Sequence, residues 1–84
     1  MFELLQLPQA ARQLRRKNHH PLIKAISGAI TDLADNPRPP GATRLVNRAG
    51  WRIRVGDFRV LYEIDDVSRT VTILMVANRR DVYK

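Results

Sequence analysis

The fold is decided by the stretch Trp51-Arg52-Ile53-Arg54-Val55-Gly56-Asp57-Phe58-Arg59-Val60-Leu61-Tyr62-Glu63-Ile64. Apolar and basic residues alternate cleanly through Trp51–Val55, the period of a half-buried strand. Gly56-Asp57 is a two-residue turn of the kind that closes a β-hairpin, and residues 58–64 form the return strand. Pairing outward from that turn sets Val55 opposite Phe58, Arg54 opposite Arg59, Ile53 opposite Val60, Arg52 opposite Leu61 and Trp51 opposite Tyr62. Trp51, Ile53, Val55, Phe58, Val60 and Tyr62 then share one face, and Arg52, Arg54 and Arg59 emerge together on the other. Like charges placed directly opposite one another destabilise a sheet by a few tenths of a kcal/mol or more. Two readings follow: either an anion lies between Arg54 and Arg59, or the side chains splay apart on a solvated outer face.

Downstream of the hairpin, residues 65–69 make a looser turn, in which Asp65 and Asp66 are turn residues. Residues 70–77 are a β-branched run suited to a central strand. Asn78-Arg79-Arg80-Asp81-Val82-Tyr83 follows at once, so Arg79 or Arg80 reaches the rim of the basic face, and the Tyr83 ring is available to stack on a base. Upstream, residues 42–46 offer a short strand, preceded by a connector whose Pro37, Pro39, Pro40 and Gly41 forbid helix. Leu22, Ile26, Ala29 and Leu33, widened by Ile23 and Ile30, mark the apolar face of a helix opened by Pro21 and closed by Asp35-Asn36-Pro37. Before the turn at residues 18–20, Leu7, Ala10, Ala11 and Leu14 recur at i, i+3, i+4 and i+7. That pattern predicts a first helix, with Pro8 in its opening turn and Arg15, Arg16 and Lys17 facing the negative end of its dipole. Residues 2–7 read as an opening strand. The order β-α-α-β-β-β predicts an α+β fold: a single antiparallel sheet with an N-terminal αα-hairpin packed on one face.

At 84 residues, with 44% hydrophobic content, the chain is expected to form one domain over residues 1–84 around one core. Twelve of its fifteen basic residues are Arg, and the net charge is +7. Arg suits forked recognition of phosphate, so the balance points to an anionic partner. The absence of cysteine excludes disulfides, thiolate metal sites and a Cys nucleophile. His19 and His20 are adjacent and lack a third ligand, so no metal site is expected, and no cofactor. There is no phosphate-binding glycine loop or Ser/His/Asp set. No apolar run approaches the length of a membrane span, and the first residues lack the basic start of a signal peptide, so the expected location is cytoplasmic.

The hairpin WRIRVGDFRVLYEIDD, together with VTILMVANRRDVY, resembles the RelE branch of the RelE/ParE toxin superfamily. The likeness extends over nearly the whole chain, although the helical half is generic. It implies a RelE-like fold and a bacterial toxin of a type II toxin–antitoxin pair: an endoribonuclease that cuts mRNA in the ribosomal A site and so inhibits translation. It implies no metal, a cognate antitoxin partner, and contact with operator DNA only through the antitoxin complex. By the same resemblance, Arg52 and Arg54 match the paired basic residues of the first hairpin strand, and Arg59 matches the arginine that supports the scissile phosphate. Arg79, with Arg80 as its rival, matches the basic residue after the last strand, and Tyr83 matches the C-terminal tyrosine. The expected catalytic set is therefore Arg54, Arg59, Arg79 and Tyr83, and the expected RNA contacts are Arg48, Arg52, Arg54 and Arg80.

The chain departs from the family pattern in ways that bear on mechanism. Some relatives carry Lys where this chain has Arg52 and Arg54, many carry His where it has Asn78, and an aromatic is common where Gln6 stands. Arg is a poor base, so without that His the expected catalysis rests on charge stabilisation and substrate positioning, with Tyr83 or the RNA itself helping the proton move. Two rivals stand beside this reading. One is a ParE-like toxin that binds and inhibits DNA gyrase without RNA chemistry; the other is an RNA-binding module that only grips backbone.

Overall fold

A computed structural model of the chain describes residues 1–78. The elements are β1 (Glu3–Gln6), α1 (Pro8–Arg16), α2 (Ile23–Asp32), β2 (Thr43–Arg44), β3 (Trp51–Val55), β4 (Phe58–Asp65) and β5 (Thr70–Asn78). The β3–β4 hairpin has the register expected from its turn, with Arg54 opposite Arg59 and Trp51 opposite Tyr62. Gly56 takes φ +60° in that turn, and a Cβ there would come within 2.5 Å of Leu22 Cδ1. The glycine thus serves the backbone twist of the hairpin and also lets the turn approach the loop between the helices.

The α+β class and the helices on one face are as expected, but the sheet differs in two respects. It has five strands, not the four of the order β-α-α-β-β-β, arranged β1-β5-β4-β3-β2, because the short strand offered by residues 42–46 does form, as a two-residue β2 paired with the start of β3. It is also mixed rather than antiparallel throughout, since β1 runs parallel to β5 with Leu4 opposite Val71. Parallel neighbours need a crossover connection, and here both helices and the β2–β4 strands lie between the partners. The helices are shorter than expected at their outer ends. Leu22 N–H donates to His20 Nδ1 at 3.0 Å, holding Pro21 and Leu22 in a turn ahead of α2. After α2, Leu33, Ala34 and Asp35 donate to carbonyls three residues back, tightening the last turn.

The core forms where α2 and α1 meet the sheet. Ile26, Ile30 and Leu33 of α2 and Ala10 of α1 pack with Ile53, Phe58, Val60, Tyr62, Val71, Ile73 and Val76. Each large side chain buried this way contributes about 1.5–3 kcal/mol before chain entropy is charged against it. Val71 and Ile73 differ in parity from Val76, yet all three face the helices. A register shift reconciles them: Leu61 pairs with Met75 and Tyr62 with Ile73, leaving Leu74 as a bulge. Among the described residues, no helix is long and apolar enough to cross a membrane.

Candidate RNA-binding face

Two cross-strand rows build the face turned away from the helices. One runs Arg54–Arg59–Ala77 and the other Arg52–Leu61–Met75, across β3, β4 and β5. Adjacent strands are about 4.8 Å apart, so the guanidinium groups of Arg54 and Arg59 spring from neighbouring backbone. Arg54 is exposed and Arg52 half-buried, whereas Arg59 is only 7% exposed, the one buried charged residue among those described. The two side chains of the pair therefore lie in different environments.

Two clefts flank these rows. Arg52 and Arg54 line one of about 390 Å³ with Pro40, Gly41, Thr43 and Ile53, along the edge of β3 that β2 leaves open. The second, of about 430 Å³, lies over β4 and β5. It is lined by Leu61, Met75 and Ala77, by the Val76 segment at the β5 edge, by Gln13 and Arg16 of α1 with Lys17 just after it, and by Arg48. The loop carrying Arg48 turns back through Asn47 at φ 66° and Gly50 at φ 126°. Gly50 is required there: a Cβ would sit 2.9 Å from the Tyr62 carbonyl oxygen. No acidic side chain lines either cleft among the described residues, so both present cations beside an apolar floor.

The structure thus brings Arg52, Arg54 and Arg59 onto one face and sets Arg48 beside them, at the rim of the larger cleft. Arg79, Arg80 and Tyr83 lie outside the described residues. Asn78 stands opposite Phe58, on the helix face of β5 rather than the arginine face. Sequence reasoning assigned Arg16 and Lys17 only to the helix dipole and passed over Gln13. Their spacing, i, i+3 and i+4, was the available signal, since it puts all three on one face of α1. What the spacing does not reveal is that this face meets β5. There Gln13 Oε1 accepts the Val76 N–H at 2.7 Å, on the edge of β5 beyond the end of β1.

The remaining candidates are structural. His20 lies edge-on to Phe58, with ring centroids 4.8 Å apart. Asp65 Oδ1 accepts the N–H groups of Val67 and Ser68, and Asp66 receives a two-pronged contact from Arg38 at 3.2 and 2.8 Å. These bonds hold both carboxyls below the usual carboxylate range. Tyr62 donates its hydroxyl to the Pro37 carbonyl at 2.7 Å, and burial pushes its pKa up to about 12. It is a core residue.

Comparison with known proteins agrees with this geometry. The family described as "ParE toxin of type II toxin-antitoxin system, parDE" matches residues 4–83. Toxin RelG of Mycobacterium tuberculosis is 36% identical over 76 residues, covering 89% of this chain and 87% of that protein. The RelBE2 toxin–antitoxin complex of Mycobacterium tuberculosis contains a chain that superposes with a TM-score of 0.77 at 28% identity, covering 93% of this chain and 98% of that one. The intact E. coli RelBE complex gives 0.78 at 16% identity, covering 93% and 96%, a likeness of fold alone. With a family match over nearly its whole length and the β-hairpin fold of the RelE-type toxins, the chain belongs to the ParE toxin family of type II toxin–antitoxin systems, within the RelE/ParE superfamily.

Proposed function

We propose that this toxin is a metal-independent endoribonuclease that cuts mRNA at the ribosome and so stops translation, with residues 1–84 acting as one toxin domain. The observation that carries the reading is the Arg54–Arg59 row beside an acid-free cleft with an apolar floor. A guanidinium pair of this kind suits a phosphate whose charge rises as a ribose 2′-oxygen attacks it. As the new P–O bond forms, the bond to the 5′-oxygen breaks, leaving a 2′,3′-cyclic phosphate on one fragment and a 5′-hydroxyl on the other. The 2′-OH proton departs and the 5′-oxygen gains one. Arginine stays protonated at physiological pH, so Arg54, Arg59 and Arg79 serve charge rather than proton transfer. Tyr83 stacks on a base, and the proton moves by way of its hydroxyl or the RNA. Arg48, Arg52 and Arg80 hold backbone phosphates. The 36% identity to a toxin named RelG supports this reading.

The partners are mRNA on the ribosome and a cognate antitoxin, with operator DNA reached only through the toxin–antitoxin complex. Solved relatives are held in such complexes, which supports the antitoxin. The family's ParE description keeps one rival in play, a toxin that inhibits DNA gyrase. A cleavage map of mRNA with and without translating ribosomes separates the two. Cuts that depend on ribosomes are expected; growth arrest with intact mRNA and impaired DNA supercoiling would overturn the nuclease in favour of the rival.

A further inference from the structure

Gln13 is placed to do more than support the sheet. Its amide orientation is settled by chemistry: the Val76 N–H can only donate, so the atom it meets at 2.7 Å is the oxygen. The amide oxygen is thereby anchored, which leaves Nε2 with its two N–H donors. Nε2 has no other partner among the described residues. No buried side-chain polar atom there goes unpaired, so this nitrogen is not fully buried. Gln13 also lines the 430 Å³ cleft, whose remaining polar side chains, those of Arg16, Lys17 and Arg48, are cations that can only donate. The floor of Leu61, Met75 and Ala77 is apolar and suits the flat face of a nucleobase.

We infer that Gln13 is a specificity-determining residue of the RNA site, whose anchored amide N–H donates to the carbonyl oxygen of a base lying in this cleft. The inference rests on the RNA-cleaving reading and deepens it. At the O6/O4 position of a base edge the amide N–H meets an acceptor in guanine and uracil, whereas at the same position the N6 amine of adenine and the N4 amine of cytosine would set donor against donor. The cations of the cleft attract any phosphate. Only a neutral donor at a fixed angle adds this discrimination between bases.

The test is a cleavage map on ribosomes translating mRNA with randomised codons, comparing the parent toxin with Gln13→Glu and Gln13→Leu. Gln13→Glu keeps an oxygen for the Val76 N–H, and circular dichroism melting confirms that it is folded. The parent is expected to favour G or U over A or C by about five- to tenfold at one position near the cut. In Gln13→Glu the carboxylate accepts from amines, so the preference at that position inverts; in Gln13→Leu it vanishes. Ratios between codons within one sample cancel any general penalty from the added negative charge. Cleavage with the parent's base pattern in both variants, however slow, overturns the role of Gln13 and leaves the nuclease standing. A parent toxin that makes no cuts overturns both.

Discussion

Arg59 and Tyr62 occupy the same strand three residues apart and face opposite sides of it, and the two sides serve different ends. Arg59 sits at 7% exposure on the arginine face, where burial fixes a guanidinium more firmly than solvent does. Loss of one such charge-stabilising group typically lowers a rate by about 10²–10³-fold. Arg59→Ala is expected to lose RNA cleavage and toxicity to that extent while still melting cooperatively, since it also relieves the like-charge pairing with Arg54. Full toxicity at equal expression would remove Arg59 from the mechanism. Tyr62→Phe should do the reverse. It deletes a buried hydrogen bond and strands the Pro37 carbonyl, at a cost of about 1–2 kcal/mol in denaturant unfolding, with cleavage unchanged. Its raised pKa has a defined sign. The folded state holds the phenolic proton more tightly, so this contribution is present below pH 10 and is lost as pH rises through about 12.

At the scale of elements, the connector after α2 and the β4–β5 turn are clasped together by Arg38 and Asp66, and Asp65 braces the turn from within. Arg38 also lies 5.4 Å from the Trp51 ring centroid, with Arg44 5.8 Å from it, so the clasp extends to the start of β3. Both carboxyls are held below their ordinary range, Asp65 chiefly by the Ser68 backbone and Asp66 chiefly by Arg38. A depressed carboxyl stabilises the fold above its unfolded pKa, and that contribution disappears as pH falls through the folded value. Stability should therefore decline on acidification below about pH 4. The double variant Asp65→Asn/Asp66→Asn should show a shallower decline when unfolding is followed across that range. Because both groups are exposed, the effect at neutral pH should be small.

For the whole molecule, charge and shape act together. The net charge of +7 is carried mainly by arginine, and basic residues line both clefts, Arg16, Lys17 and Arg48 in one and Arg52 and Arg54 in the other. Such a field steers an oppositely charged partner, and salt screens it over about 10 Å at 0.1 M. Association of the toxin with its antitoxin is expected to slow by about tenfold or more as salt rises from low to high ionic strength, with dissociation changing less. Stopped-flow mixing measures both rates. An association rate indifferent to salt would indicate an interface dominated by apolar contact.

The sequence by itself determined what short-range rules can carry. A two-residue turn at Gly56-Asp57 sets the hairpin register, and strand alternation then assigns every residue of β3 and β4 to a face, including the Arg54–Arg59 pair. Helical periodicity likewise identified Ile26, Ile30 and Leu33 as core. Contacts between distant segments were decided only by tertiary structure. Glu3 pairs with Thr70 in parallel, and no local pattern encodes a partner so far along the chain. The Leu74 bulge exists because Val71, Ile73 and Val76 must all reach one core, a demand that appears only once helices cover the sheet. The larger cleft has the same origin. Gln13, Arg16 and Lys17 share a helix face in any reading, but they come to line a cleft only because α1 lies along the free edge of β5, where a side-chain amide satisfies a backbone N–H that β1 is too short to pair.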